Sequence, residues 1–149
     1  MEHQQQQHQQ LAWRCAEKMY SDDGCSNQLS IKIEQMDKGH AVVNMVVTKD
    51  MLNGFGTCHG GMIFSLADSA FAFSCNSENQ VAVAAGCNIE YIRPAKEGDV
   101  LTATANVKSQ GKVTGTYDIE ITNQNGKLVA LFRGKAHRLG MPVLEAGNE

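Results

Sequence analysis

The spacing of apolar and polar positions changes twice along this chain. Residues 11–20, "LAWRCAEKMY", place apolar side chains at helical intervals, and the Gln-rich residues 1–10 before them read as a polar leader that frays or extends that helix. After "SDDGCSN", read as a loop, the period drops to two. Leu29, Ile31 and Ile33 alternate with polar residues, "DKGH" turns the chain, and "AVVNMVV" returns, which predicts a β-hairpin. From Gly60 to about Phe73 the pattern is helical again, with Ala, Leu, Met and Phe on nearly every face and no Gly beyond Gly61. A helix this apolar must be wrapped by other structure.

Four extended runs follow, over residues 81–92, 100–107, 113–121 and 127–137. Short polar connections join them, the last being "NQNGK", whose Asn125-Gly126 pair suits a tight two-residue turn. Such connections are too short for parallel crossovers. The expected fold is therefore α+β: an antiparallel sheet with one face covered by the central helix, plus an N-terminal helix. A sheet curled around one helix is the hotdog arrangement.

Composition narrows the function. The 149 residues fit one domain, with a net charge of -3 and no Lys/Arg run, so nucleic acid is not an expected partner. Five cysteines without a CxxC pair argue against a disulfide framework or a zinc site, and point to a reducing, cytoplasmic setting. No apolar stretch reaches the ~18 residues of a membrane span. His3 and His8, within the leader, read as solvated side chains.

The chemistry concentrates in "NGFGTCHGGMIFSLADSAFAF", residues 53–73. Asp68 sits among Phe64, Leu66, Ala67, Phe71 and Ala72, where a carboxylate costs free energy unless hydrogen bonds or function hold it. Ser65 and Ser69 share its strip, so a structural polar seam is the competing reading. Functionally, a desolvated carboxylate is a base or nucleophile with raised proton affinity. Gly60 and Gly61 open the helix. Unpaired N–H groups and the positive end of the helix dipole collect there, and a residue without Cβ lets a developing oxyanion approach; close helix–sheet packing is the alternative. Eight residues separate Gly60 from Asp68, about 12 Å along one helix and roughly 80° around it. One carbonyl cannot comfortably meet both, so the natural pairing takes Gly60 from one subunit and Asp68 from another. Asn53 reads as an amide that orients a carbonyl or a water, or as a turn residue beside Gly54. His59 either supports the oxyanion or caps the helix. Cys58 beside His59 is a weak candidate nucleophile, because sequence neighbours seldom face each other.

These residues carry a resemblance. With "EYIRPAKEGDVLTATANV", "GKVTGTYDIEI" and "VALFRGKAHRLG", the string containing Asn53, His59, Gly60, Gly61 and Asp68 resembles the hotdog-fold acyl-CoA thioesterases, in particular the phenylacetyl-CoA and hydroxyphenylacetyl-CoA thioesterases of bacterial phenylacetate catabolism. The likeness covers residues 11–140 and leaves 141–149 as a tail. It implies a hotdog domain without cofactor, Asp68 as nucleophile or general base, the Gly60 N–H as oxyanion donor, and Asn53 and His59 in support. It also implies a homodimer or a tetramer of two dimers. Coenzyme A contacts are implied for Gly61, for Tyr91, Arg93, Pro94 and Lys96, for Gln110, Gly111, Lys112 and Thr114, and for Arg133 with His137 beside it. Ala84, Ala85 and Gly86, on the strand passing the acyl pocket, offer a small apolar wall with no hydroxyl. Two other functions stay open: a hydratase or dehydratase pairing His59 with Asp68 on enoyl-CoA, and a non-catalytic acyl-CoA-binding protein.

Overall fold

The computed structural model describes residues 1–145. The elements run α1 (Glu2–Ser21), α2 (Gly24–Gln28), β1 (Lys32–Asp37), β2 (His40–Val46), α3 (Gly60–Cys75), β3 (Ala82–Tyr91), β4 (Val100–Gln110), β5 (Thr114–Thr122) and β6 (Leu128–Arg138). The six strands form one sheet in the order β1-β2-β4-β5-β6-β3, every neighbour antiparallel. The sheet wraps α3, which packs mainly on β2, β4 and β5. This is the expected hotdog arrangement.

Alternation explains which face of the sheet meets the helix. Leu101, Ala103 and Ala105 on β4, Tyr117, Ile119 and Ile121 on β5, and Ala130, Phe132 and Ala136 on β6 are all buried, at period two. From α3, Ile63, Leu66, Ala67, Ala70, Phe71 and Phe73 fill the space they leave. Phe71 stacks between Tyr117 and Phe132, with centroids 5.8 Å from each. Its ring fits because residue 134 has no side chain: a Cβ there would lie 2.7 Å from the Phe71 ring. Beyond the helix, the Asn76 amide donates to Ala72 O and Ala82 O and accepts from Ala82 N, tying α3 to β3.

Residues 2–10 extend the N-terminal helix, one of the two readings open for them, and form the first half of α1, which buries only Ala12, Cys15 and Ala16. The structure departs from the sequence expectations at two places. The supposed loop after α1 contains α2, nucleated when Asp23 accepts from Ser26 N at 2.9 Å and from Ser26 Oγ at 2.6 Å. The β5–β6 connection is a five-residue loop rather than a two-residue turn. Asn123 organises it by accepting from Asn125 N and Lys127 N, and Gly126 supplies the left-handed residue at φ 74°. The tail also docks: Leu144 is buried, while the part of the expected tail after residue 145 lies outside the described residues.

Candidate active site

The start of α3 is built by its own loop. Asn53 Oδ1 accepts from Phe55 N at 2.9 Å and Thr57 N at 3.2 Å, and Asn53 N donates to Thr57 O at 2.7 Å. The amide of Asn53 is thus engaged in the turn that leads to the helix. His59 is the N-cap, its Nδ1 accepting from Gly61 N at 2.9 Å, which places the ring proton on Nε2. The His59 carbonyl accepts from Met62 N and Ile63 N. Gly60 N–H, between them, has no acceptor among the described residues. It is a helix-start donor at the positive end of the macrodipole.

Tyr91 packs against the same residue. Its hydroxyl donates to Gly60 O at 2.9 Å, and a Cβ on Gly60 would stand 3.2 Å from the ring. The following loop is held to the helix start, for Cys58 N donates to Ala95 O at 2.8 Å. Asn53, His59, Gly60, Gly61, Tyr91, Arg93, Pro94 and Lys96 therefore belong to one end of α3. Arg93 donates to Leu128 O at 3.0 Å, and Lys96 N donates to Asp99 Oδ2.

Gln110, Gly111, Lys112 and Thr114 occupy the opposite end. Their hairpin is closed by Gly111 N donating to Thr114 O, with Gln110 Oε1 accepting from Tyr117 at 2.7 Å. It connects to the C-terminal end of α3 through Val107 N, which donates to Gly39 O, and Gly39 N, which donates to Ser77 Oγ. The 16 residues of α3 span about 24 Å, so within one chain the two sets of coenzyme-contact candidates are kept apart. Arg133 sits on the outer face of β6, where the Nε–Nη2 edge of its guanidinium donates to both carboxylate oxygens of Asp118, at 2.6 and 2.8 Å. That pairing holds the Asp118 carboxyl below the usual carboxylate range.

Asp68 lies midway along α3 and is half-buried. Its neighbours in the polar strip are bonded elsewhere: Ser65 Oγ donates to Gly61 O, and Ser69 Oγ pairs with Ser26 Oγ at 3.0 Å. Asp68 itself has no hydrogen-bond partner among the described residues. Burial raises its proton affinity above that of an ordinary carboxyl, and the nearby Asp23 carboxylate raises it further. The side chain opens into a cleft of about 450 Å³ walled by Met19, Phe71, Ala72, Val83, Ala84 and Val143. The sequence reading found Ala84 in this wall but missed Met19 and Val143; the periodic spacing of Ala12, Cys15, Ala16 and Met19 was the available signal for the former.

Two alternatives find less support in the geometry. The Cys58 thiol is buried and pushed up to about 11 by desolvation and then by Asp99, a poor state for a nucleophile. His59 spends Nδ1 on the N-cap of α3, so that nitrogen is engaged with Gly61 N rather than presented for proton transfer. Among the described residues no group of three His, Cys, Asp or Glu is placed to hold a metal ion, and no helix is long and apolar enough to cross a membrane.

Comparison with known proteins completes the picture. Residues 55–130 match the model of the thioesterase superfamily. The chain is 59% identical over 129 residues to the acyl-coenzyme A thioesterase PaaI of Escherichia coli strain K12, covering 87% of this chain and 92% of that protein. The solved structure of the E. coli PaaI protein from the phenylacetic acid degradation operon superposes with a TM-score of 0.90 at 56% identity, over 91% of this chain and 98% of that one. A hypothetical thioesterase from Streptococcus pneumoniae, solved with coenzyme A, has a TM-score of 0.73 at 33% identity, over 75% of this chain and 90% of its own.

Proposed function

The chain belongs to the thioesterase superfamily, in its hotdog-fold acyl-CoA thioesterase branch, and on that premise we propose that it hydrolyses phenylacetyl-CoA-type thioesters to free acid and coenzyme A. The observation that carries the reading is the carboxylate of Asp68, half-buried, without a hydrogen-bond partner among the described residues, and lining a mainly apolar cleft. In this reading Asp68 attacks the thioester carbon or deprotonates the attacking water. The Gly60 N–H, without an acceptor among the described residues, receives the developing oxyanion.

The two groups come from different protomers. On one continuous helix they are about 12 Å apart and roughly 80° out of phase, too far for one carbonyl. Two α3 helices lying antiparallel across a two-fold axis bring each Gly60 towards the other's Asp68 and make two equivalent sites. The same arrangement supports coenzyme A recognition. It places the Arg93–Lys96 loop of one protomer near the partner's Gln110–Thr114 hairpin, which a single chain holds at opposite ends of α3. The relative from S. pneumoniae solved with coenzyme A is consistent with a coenzyme A ligand here. A dimer, or a tetramer of two such dimers, is the expected assembly, and no cofactor is required beyond the coenzyme A of the substrate.

Thiol release from an acyl-CoA panel, run with Asp68→Asn beside the unaltered enzyme, tests the proposal. Release from phenylacetyl-CoA that collapses in the variant supports it; full activity in the variant refutes the role of Asp68. Reversible water addition to enoyl-CoA without thiol release would identify a hydratase, and tight binding without turnover a carrier.

A further inference from the structure

The Asp68 cleft is completed by segments from outside the residues that match the superfamily model. Residues 55–130 contain Gly60, Asp68 and all of β3, but not Met19, at the C-terminal turn of α1, nor Val143, in the tail. Both residues nevertheless line the same cleft as Asp68 and Ala84. The tail is fixed there as a strap. Leu139 N donates to Val81 O and Val81 N to Met141 O, both at 2.9 Å, so the strap runs beside the start of β3. Leu144 N then donates to Asn79 Oδ1 at 2.8 Å, and the Leu144 side chain is buried. Asn79 also ties in the helix, because Cys15 Sγ donates to the same Oδ1 from α1. One left-handed residue, Asn79 at φ 61°, thereby holds both halves of the wall in register.

We propose that α1 and the C-terminal strap form the acyl-selecting wall of the site, and that Met19 and Val143 set the size of acyl group admitted beside Asp68. This inference rests on the thioesterase reading above. The occupant is the uncharged, ring-sized acyl group of the thioester. Its place follows from the continuity of the cleft with the Asp68 carboxylate, its apolar lining by Met19, Val83, Ala84 and Val143, and its volume of about 450 Å³, within the range of small-molecule pockets. An acyl group bearing its own carboxylate is disfavoured, since Asp68 and Asp22 both border the cleft while the neighbouring Lys18 is paired with Asp22 at 3.6 Å. Gly60 and Asp68 lie within the residues that match the superfamily model, and selectivity comes from the two segments outside that match.

The test is kcat/KM for thiol release from acetyl-, hexanoyl-, decanoyl-, phenylacetyl-, naphthylacetyl- and succinyl-CoA, measured for the unaltered enzyme, Met19→Ala, Val143→Ala, Met19→Trp and Val143→Trp. The Ala variants should raise the naphthylacetyl-to-phenylacetyl ratio about tenfold, and the Trp variants should lower phenylacetyl-CoA turnover about tenfold while changing acetyl-CoA less than about threefold. Because Val143 lies on a terminal strap, its variants carry the test should substitutions at Met19 impair folding. An active enzyme whose ratios are unchanged in the Val143 variants, or whose substrates all fall by one common factor, would overturn the wall alone. No turnover in the unaltered protein, or full turnover in Asp68→Asn, would overturn the function and the wall with it.

Discussion

Tyr91 and Gly60 are held together: the phenol donates a 2.9 Å hydrogen bond to the Gly60 carbonyl, and its ring lies 3.2 Å from where a Cβ at residue 60 would stand. Tyr91 thus holds the residue that presents the proposed oxyanion donor, while the carbonyl of the donor's own peptide, His59 O, accepts from Met62 N and Ile63 N. Position 60 is also the first residue of α3, where proline is tolerated because its missing N–H has no helical partner. Gly60→Pro removes the donor with little cost to the helix itself, although its ring must displace Tyr91. Expected is a loss of about 10²- to 10³-fold in kcat, with Gly60→Ala milder because it keeps the N–H. Steady-state kinetics beside thermal melts separate the two effects.

Removing the charge of Asp68 should lower kcat by at least about 10²-fold. Stability should move the other way. The folded-state pKa of Asp68 is raised, so its contribution is most favourable at low pH and is lost as pH rises through the folded pKa. Asp68→Asn should therefore melt at a higher temperature than the unaltered protein near pH 7, the gain shrinking towards pH 4. A lower melting temperature at pH 7 would show the carboxylate to be a structural bond after all.

The same shift fixes the pH dependence of activity. Burial and then the Asp23 carboxylate raise Asp68, so the acid limb of kcat/KM should lie above the ordinary carboxylate range. Asp23→Asn removes the like charge and should move that limb downward. This is measured by pH–rate profiles of the two proteins.

The thiols make a separate prediction. Cys58 and Cys75 are pushed up to about 11 and 12 by burial, and Cys15 is also buried, whereas Cys25 is exposed. An aromatic disulfide reagent at pH 8 should modify Cys25 rapidly in the native protein and reach Cys15, Cys58 and Cys75 only after denaturation. Cys58→Ser should retain activity.

Packing around Phe71 is equally specific. Gly134→Ala forces a methyl to 2.7 Å from the ring and should destabilise the fold by about 1–3 kcal/mol, read as a lower denaturant midpoint.

Much of this was legible in the sequence because the physics was local. Period-two alternation located the first hairpin, extended runs between short polar connections located the other four strands, and the apolar run after Gly61 located α3, whose apolar character on nearly every face required a wrapping sheet. For the Gln-rich residues 2–10 the choice between fraying and extending the helix stayed open; they are helical because they continue a helix anchored further along at Ala12 and Cys15. What escaped were features decided by tertiary partners. Helix α2 depends on Asp23 capping at Ser26, and Ser26 in turn meets Ser69 on a distant element. Asn125-Gly126 looked like a two-residue turn because the role of the Asn123 side chain in a longer loop is visible only in coordinates. In the site, Asp68 and Gly60 stood out by chemistry. Met19 and Val143 did not, since ordinary apolar residues announce a pocket only once the chain has brought them to it.

The central claim is that each site takes its carboxylate from one protomer and its amide donor from the other. It is tested by mixing: Asp68→Asn and Gly60→Pro chains, each nearly inactive alone, are unfolded, combined in equal amounts and refolded together. Random pairing makes half of the dimers mixed, and each mixed dimer holds one intact site, so activity should return to about one quarter of the unaltered enzyme. Activity that stays at the level of the separate variants, with mixed dimers shown to be present by native mass spectrometry, would contradict the account.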